Sequence, residues 1–553
     1  MKTKIIIIGG VAAGATAAAR LRRLSESAEI TIVEKGPYVS YANCGLPYFI
    51  SGDIKNRSKL LLQTPEGFLK RYNVNVLINT EALEIDRANK RVKIKANEIE
   101  KSLEYDYLLL SQGGNPIFPE MPGSQAEHVF KLWTVPDMDR ISHFIDEKKP
   151  STAVVVGGGF IGLEMAEAFH SRNLKTSIIE MADHVMPVMD KEFGVLVKQK
   201  LNQFGITVEV GVGVKGILPE TKEVELTDGR KISADLVLFS VGVRPELALA
   251  KNAGLEVGST GGLLVNKYLQ TSDPFIYAAG DILEITNKIS NKKVRIPLAG
   301  PANRQGRIAA TNILTNNSIK YGGALGTSVV KILDSTAAST GLTEKIAIEN
   351  GFNCDAVYLH KEHHAGYYPG AEMIHLKLVF DRDSHKILGA QAFGKQGVDK
   401  RIDVLSTAIY AGMTVEDLSE LDLAYAPPYS SANDPINLIS FVALNSISGF
   451  SPTISPKNAV QSIKKDNVLL IDVRSPEEFK NGHLKGAINI PVDEIRNRMT
   501  EIPIDKPFYL TCRVGYRGHL GLRILKENGY INLKNITGGY LSLLLEGGFE
   551  EEF

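Results

Sequence analysis

A chain of 553 residues exceeds what one hydrophobic core organises, and at roughly 150 residues per domain it should hold three or four domains. Hydrophobic residues make up 44% and charged residues 23%, and 63 Lys and Arg balance 63 Asp and Glu to a formal charge of zero. That balance excludes bulk attraction to nucleic acid or membrane, and every apolar run is broken by Gly, Pro or charge before the roughly 18 residues of a spanning helix. The cysteines, Cys44, Cys354 and Cys512, are too scattered for a metal cage or a disulfide framework, so no metal is expected and a reducing cytoplasm is the simpler setting. The amino terminus reads as a first strand rather than a secretory leader.

Lys4 to Ile8 is an apolar run that ends in Gly9, Gly10, Val11, Ala12, Ala13 and Gly14 and passes into an Ala-rich, Arg-bearing segment through Leu24. This predicts a strand, a tight turn and a helix, the arrangement that presents backbone N–H groups to a pyrophosphate. Glu34, closing the run Ile30 to Val33, is placed to hold a ribose, although Val11 stands where the motif has its middle glycine. A second copy is complete: Ala153 to Val156 leads into Gly157, Gly158, Gly159, Phe160, Ile161 and Gly162, and Glu180 follows the strand Thr176 to Ile179. An acid there accepts ribose hydroxyls and repels a 2′-phosphate, which favours NADH over NADPH.

Two such fingerprints in one chain resemble the pyridine nucleotide-disulfide oxidoreductases, flavoproteins that carry two dinucleotides. The resemblance implies FAD at the first site, with Gly9, Val11, Ala12, Ala13, Gly14, Glu34 and Lys35 as contacts. It implies NADH at the second, through Gly157, Gly159, Ile161, Gly162 and Glu180. Tyr105 to Gly114 resembles the family's exit from the FAD domain, which carries over Gly113, and Thr271 to Asp281 resembles its second FAD motif, which brings Asp281 to the flavin's ribityl chain. The implied organisation is an FAD-binding domain split over 1–113 and 241–323, an NADH-binding domain over 114–240 and an α+β dimerisation domain over 324–445, hence a homodimer.

Cys44 lies in Ser40, Tyr41, Ala42, Asn43, Cys44, Gly45, Leu46, Pro47, Tyr48, and no second cysteine stands within a few positions. Its sulfur must exchange with something external, unless Cys44 is a buried structural thiol. A lone thiolate holds a mixed disulfide, a persulfide or a sulfenic acid. The segment resembles the coenzyme A disulfide reductases and the NADH-dependent persulfide reductases, and more weakly the peroxidases and oxidases that use sulfenate. Coenzyme A is therefore expected as substrate or bound ligand, with Ser40 and Asn43 as contacts. Arg20, Arg22, Arg23, Lys70 and Arg71 suit its phosphates, and the alternative is a solvated basic face. The same resemblance carries over Asn303 and Arg307.

His363 to Ala371 and Leu423 to Ser430 resemble the segments that bring two tyrosines, here Tyr367 and Tyr425, to the partner subunit's cysteine; interface packing is the alternative for either. Asn433 stands where the coenzyme A disulfide reductases have a lysine. His363 and His364 receive no role, and Cys354, in an alternating run, is expected to be a strand residue.

A stretch rich in Ser, Gly and Pro over 446–460 reads as a linker, after which a new βα pattern begins. Val468 to Arg474, His483 to Pro491 and Phe508 to Arg517 together resemble a rhodanese domain over 461–553. The resemblance implies a loop wrapped around the Cys512 sulfur, with Arg513 and Arg517 beside it and a persulfide carried there. The expected fold class is α/β: two Rossmann-like dinucleotide-binding domains, an α+β dimerisation domain and a carboxyl-terminal α/β rhodanese domain. The expected function is reduction of persulfide, polysulfide or coenzyme A disulfide by NADH through FAD and Cys44, with no nucleic-acid or membrane partner. The alternatives are a peroxidase or oxidase cycling Cys44 through sulfenic acid, and a slow redox-sensing or sulfur-trafficking module.

Overall fold

The computed structural model describes residues 2–466 and 468–552, and the chain divides into two compact units, Met1–Asp183 with Phe204–Gly326 and His184–Gln203 with Thr327–Phe553. Among the described residues no helix is long and apolar enough to cross a membrane.

The first unit holds two five-stranded parallel sheets. In the first the order is Ile276–Ala278, Tyr107–Leu110, Lys4–Ile8, Glu29–Val33 and Asn75–Leu77, so strands far apart in sequence complete one sheet. In the second it is Thr207–Val210, Lys175–Glu180, Thr152–Val156, Leu236–Phe239 and Val129–Lys131. Ile5, Ile6, Ile7 and Ile8 are all buried, the continuous apolar run that a parallel strand covered on both faces requires. The helix Ala12–Leu24 packs against Ala299–Thr315, and at Gly306 the backbones meet so closely that a Cβ would lie 2.3 Å from the Ala13 carbonyl oxygen.

The second unit carries an antiparallel sheet in the order Ser328–Ile332, Ser335–Gly341, Ile387–Gly394, Met373–Asp381 and Cys354–Glu362. Cys354 opens the last of these strands. The helix Lys191–Gln203 belongs to this unit although it falls within the span 114–240 read as nucleotide-binding. It delivers Glu192, and the loop before it Asp190, to the fully buried Lys377, whose ammonium lies 2.9 Å from Asp190, 2.6 Å from Glu192 and 2.7 Å from Glu344. The Tyr358 hydroxyl donates to the same Glu192 oxygen at 2.6 Å.

A separate parallel sheet at the carboxyl end runs Thr453–Ile454, Leu533–Ile536, Phe508–Thr511, Leu469–Asp472 and Ile488–Asn489. The stretch 446–460, expected as a linker, is built into the structure. It continues the helix Pro435–Ile447, supplies the edge strand Thr453–Ile454 and starts the helix Pro456–Asp466. Two buried contacts fasten the carboxyl-terminal fold to the antiparallel sheet: the Tyr358 amide donates to Thr537 Oγ1 at 2.8 Å, and His360 Nε2 lies 2.7 Å from Ser542 Oγ.

Removing the cation from a buried charge cluster leaves carboxylates without compensation, so Lys377→Met should destabilise the second unit by about 3–5 kcal/mol. Chemical denaturation followed by circular dichroism checks this, and an unchanged midpoint contradicts it.

Candidate active site

The two glycine turns of the first unit repeat one geometry. After Lys4–Ile8 the chain turns at Gly9 (φ +92°), and after Thr152–Val156 at Gly157 (φ +107°), where a Cβ would lie 2.4 and 2.5 Å from the carbonyl oxygens of Ser111 and Ser240. Only glycine accepts that conformation in that space. A Cβ on either Gly14 or Gly162 would come 1.9 Å from the carbonyl oxygen opening its own turn. The acids correspond as well: Glu34 accepts from the amides of Gly10 and Gly36 at 2.8 Å each, and Glu180 from those of Gly158 at 2.7 Å and Ala182 at 2.8 Å. Each turn is also tied by a serine that sequence reasoning missed: Ser111 donates to the carbonyls of Ile8 and Gly9, and Ser240 to those of Val156 and Gly157.

These cradles fit dinucleotides. The space above Gly159 is open for the approach of a pyrophosphate, whereas Val11 occupies the corresponding place in the first turn. Both polar side-chain atoms of Gln112 are buried without a partner among the described residues, next to Gly9 and Gly113, where an FAD would offer partners. Gln305 accepts from the Gly280 amide at 2.8 Å and donates to Tyr321 at 3.0 Å, which fixes the turn bearing Asp281. Burial pushes the Asp281 carboxyl up to about 6. Lys35 is exposed and pairs with Glu81 at 2.8 Å.

Cys44 sits in the short helical segment Asn43–Gly45, which runs directly into Leu46–Ser51. It opens to solvent on one side, while desolvation on the other pushes its thiol up, and the carboxylates of Glu164 and Asp281 push it further. Ser40, with φ +48°, and Asn43 flank it. Sequence reasoning missed Glu164, which stands on the helix Phe160–Ser171 and receives a 3.1 Å hydrogen bond from Tyr48. Burial pushes Glu164 up to about 7.

Among the residues expected to bind phosphate, Arg22 is corrected. It is 4% exposed, and its guanidinium donates to the carbonyls of Tyr72, Ser25, Glu26, Ala28 and Asn73, which leaves no donor direction for a ligand. Arg20 donates to Thr311 at 3.1 Å and lies in the fields of Arg307 and Arg23, so these three form one basic patch. Asn303 is on the same helix as Arg307, exposed, and accepts from Thr16 at 2.6 Å; Arg71 is exposed on the helix Pro65–Tyr72.

In the second unit the hydroxyls of Tyr367 and Tyr425 lie 3.2 Å apart, with the residues 77% and 46% exposed. Two loops are held together to achieve this. The buried Arg401 donates to the His363 carbonyl at 2.7 Å and to both oxygens of Asp434 at 3.3 and 2.8 Å, and the Ala365 amide donates to the Ser430 carbonyl at 3.0 Å.

Cys512 is 1% exposed at the end of the strand Phe508–Thr511, and its sulfur accepts from the Gly515 amide at 3.1 Å. Gly539 closes the loop from the far side, where a Cβ would lie 2.2 Å from the Cys512 carbonyl oxygen, and the Tyr540 amide donates to that oxygen at 2.7 Å. Arg517 is gripped by both oxygens of Glu478 at 2.6 and 2.7 Å. That pairing holds the Glu478 carboxyl down to about 2 and raises Arg517, with the Cys512 sulfur adding to the effect on Arg517. Arg513 is exposed.

Family models match along the described chain: the pyridine nucleotide-disulphide oxidoreductase over residues 3–306, its dimerisation domain over 327–434, and a rhodanese-like domain over 455–546. The chain belongs to the pyridine nucleotide-disulphide oxidoreductase family. An NAD(P)H sulfur oxidoreductase (CoA-dependent) of Pyrococcus furiosus is 36% identical over 80% of this chain and 99% of its own length. A coenzyme A disulfide reductase of Staphylococcus epidermidis shows the same identity and coverage. Among solved structures, reduced CoADR-RHD of Bacillus anthracis superposes with a TM-score of 0.96 at 45% identity, covering 99% of this chain and 98% of that one. An NAD-dependent persulfide reductase from A. fulgidus gives 0.91 at 41%, covering 98% and 100%.

An acid at the end of this strand is expected to accept ribose hydroxyls, so the enzyme should prefer NADH, and Glu180→Ala should narrow the ratio of kcat/KM for NADH to that for NADPH. Equal efficiency with the two nucleotides before substitution would contradict this role for Glu180.

Proposed function

We propose that the chain is an NADH-dependent flavoprotein that reduces persulfide, polysulfide or coenzyme A disulfide at Cys44, with Cys512 carrying sulfane sulfur. The observation that carries this reading is the pairing, in one chain, of a solitary accessible thiol beside the dinucleotide cradles with an intact cysteine loop of the rhodanese type. The names of the relatives, which include coenzyme A disulfide and polysulfide/persulfide reductases, support the same substrate class.

The Cys44 thiolate attacks one sulfur of R–S–S–R′, forming Cys44–S–S–R and releasing R′–S⁻. FAD, when bound in the first cradle, supplies the passage of two electrons from NADH to that disulfide. The S–S bond breaks to regenerate Cys44–S⁻ and R–S⁻, and with one further proton the balance is NADH, H⁺ and the disulfide giving NAD⁺ and two thiols. With a persulfide one product is hydrogen sulfide. Glu34 and Glu180 orient the riboses, and Asp281 the ribityl chain. The patch of Arg20, Arg23 and Arg307, with Asn303, Arg71, Ser40 and Asn43, binds the coenzyme A moiety. The enzyme works as a cytoplasmic homodimer in which Tyr367 and Tyr425 of one copy donate a proton to the thiol leaving the other copy's Cys44. A sulfenate cycle would leave the Cys512 loop without a task.

Cys44→Ser should keep FAD and its reduction by NADH while losing turnover with every disulfide or persulfide acceptor, since hydride delivery needs only the nucleotide sites. Stopped-flow absorbance separates the half-reactions, and normal acceptor turnover in Cys44→Ser would remove the reading. Cys512→Ser should abolish sulfur transfer from thiosulfate to a thiol while leaving reduction of coenzyme A disulfide largely intact. Loss of that reduction in a folded, FAD-loaded protein would make the two cysteines one obligatory relay.

A further inference from the structure

We infer that Thr537 and Ser542 are positioning residues for the Cys512 sulfur, clamping the turn behind its loop to the antiparallel sheet of the same unit. This rests on the reading of Cys512 as the carrier of sulfane sulfur, and adds that the loop is set from outside the rhodanese-type fold.

The contacts start at a sheet edge. Cys354–Glu362 is the outermost strand of the antiparallel sheet, so polar backbone groups on its free side need partners from elsewhere. At Tyr358 one side chain meets both: Thr537 Oγ1 accepts from the Tyr358 amide at 2.8 Å and donates to the Tyr358 carbonyl at 3.2 Å. Two residues along the strand, His360 Nε2 lies 2.7 Å from Ser542 Oγ, and the other nitrogen of that ring lies 2.8 Å from His375 Nδ1 on the neighbouring strand. Thr537, Ser542 and His360 are all buried. The anchor is itself fixed, because the Tyr358 hydroxyl donates to Glu192 within the cluster around Lys377.

Between these two fasteners lies the turn of Gly538 and Gly539. A Cβ on Gly538 would lie 2.0 Å from Ser542 Oγ and 2.8 Å from Tyr358 Cβ, so the turn is pressed against the strand. Its other side touches the sulfur loop. The Tyr540 amide donates to the Cys512 carbonyl at 2.7 Å and the Leu541 amide to the Arg513 carbonyl at 3.1 Å, while a Cβ on Gly539 would lie 2.7 Å from the Gly515 nitrogen. Gly515 is the residue whose amide donates to the Cys512 sulfur. Tyr358 and that sulfur are thus joined through Thr537, the two glycines and Gly515.

In sulfur transfer the Cys512 thiolate takes the outer sulfur of thiosulfate, sulfite leaves, and Cys512–S–S⁻ carries the same charge one atom further out. The Gly515 amide must stay aimed at that charge, and a misplacement of about 1 Å in a site of this kind costs on the order of 100-fold in rate. The clamp supplies this constancy, so the antiparallel sheet completes the Cys512 site.

The test uses the FAD-loaded full chain. Thr537→Val keeps the shape of the side chain but deprives the Tyr358 amide and carbonyl of their hydroxyl. It should lower kcat for sulfur transfer from thiosulfate to cyanide by about 10- to 100-fold, with KM for thiosulfate little changed. Thr537→Ser keeps the hydroxyl and should restore most of the rate, a rescue that filling of space alone would not give. Hydrogen exchange read by mass spectrometry decides the geometry without any sulfur donor. The peptide 512–517 should exchange faster in Thr537→Val, and in Ser542→Ala if the first variant does not fold, while the strand Leu469–Asp472 exchanges as in the parent. Parent-like kcat in folded Thr537→Val, unchanged exchange over 512–517, or equal acceleration across the whole carboxyl-terminal sheet overturns the inference. The assignment of Cys512 itself stands or falls separately, on Cys512→Ser.

Discussion

A thiol with no second thiol in its own unit cannot store an electron pair as an internal disulfide, and the chemistry of the molecule follows from that constraint. Cys44 is the only cysteine of the first unit, since Cys354 opens a strand and Cys512 closes a loop in the second. Any disulfide or persulfide at Cys44 must therefore be made with a sulfur brought to it from elsewhere. The site accordingly combines an accessible thiol with the neighbouring Glu164, whose burial pushes its carboxyl up to about 7. An internal disulfide would need neither.

The rest of the first unit keeps two dinucleotides in matching cradles. In each, a glycine at positive φ, a serine hydroxyl and an acid bonded to backbone amides fix the same turn, so the site is held by main-chain geometry before any ligand enters. The second unit fixes its functional groups with ion pairs instead, one buried and one half-buried. Arg401 and Asp434 hold the loops of Tyr367 and Tyr425 together, and Arg517 with Glu478 sets the guanidinium beside Cys512. Such pairs stabilise little against apolar substitutes, but losing one partner strands a charge, which makes the loop geometry hard to deform.

What the sequence reveals and hides follows the same division. The glycine turns and Glu34, Glu180 and Asp281 are legible because their spacing is covalent: strand, turn, helix and acid recur at fixed intervals. The Cys512 loop is legible for the same reason. Glu164 and Tyr48 lie 116 positions apart and meet only after two helices pack, so no local pattern marks them. Arg22 misleads because an Ala- and Arg-rich helix looks uniformly basic. Position 22 falls on the buried face and caps the carbonyl ends of neighbouring segments. The stretch 446–460 misleads because Ser, Gly and Pro are as compatible with a helix end, an edge strand and a helix start as with free coil.

The measurement that bears most directly on Cys44 is an anaerobic reductive titration of the oxidised, FAD-loaded enzyme after exposure to coenzyme A disulfide and removal of the excess. Two equivalents of NADH per protomer should be consumed, one passed through the cofactor to the disulfide at Cys44 and one retained on the cofactor, and free coenzyme A should be released with the first. Peptide mapping should find the Cys44 thiol open to alkylation after the titration and blocked before it. Consumption of one equivalent, with Cys44 free throughout, would contradict the account.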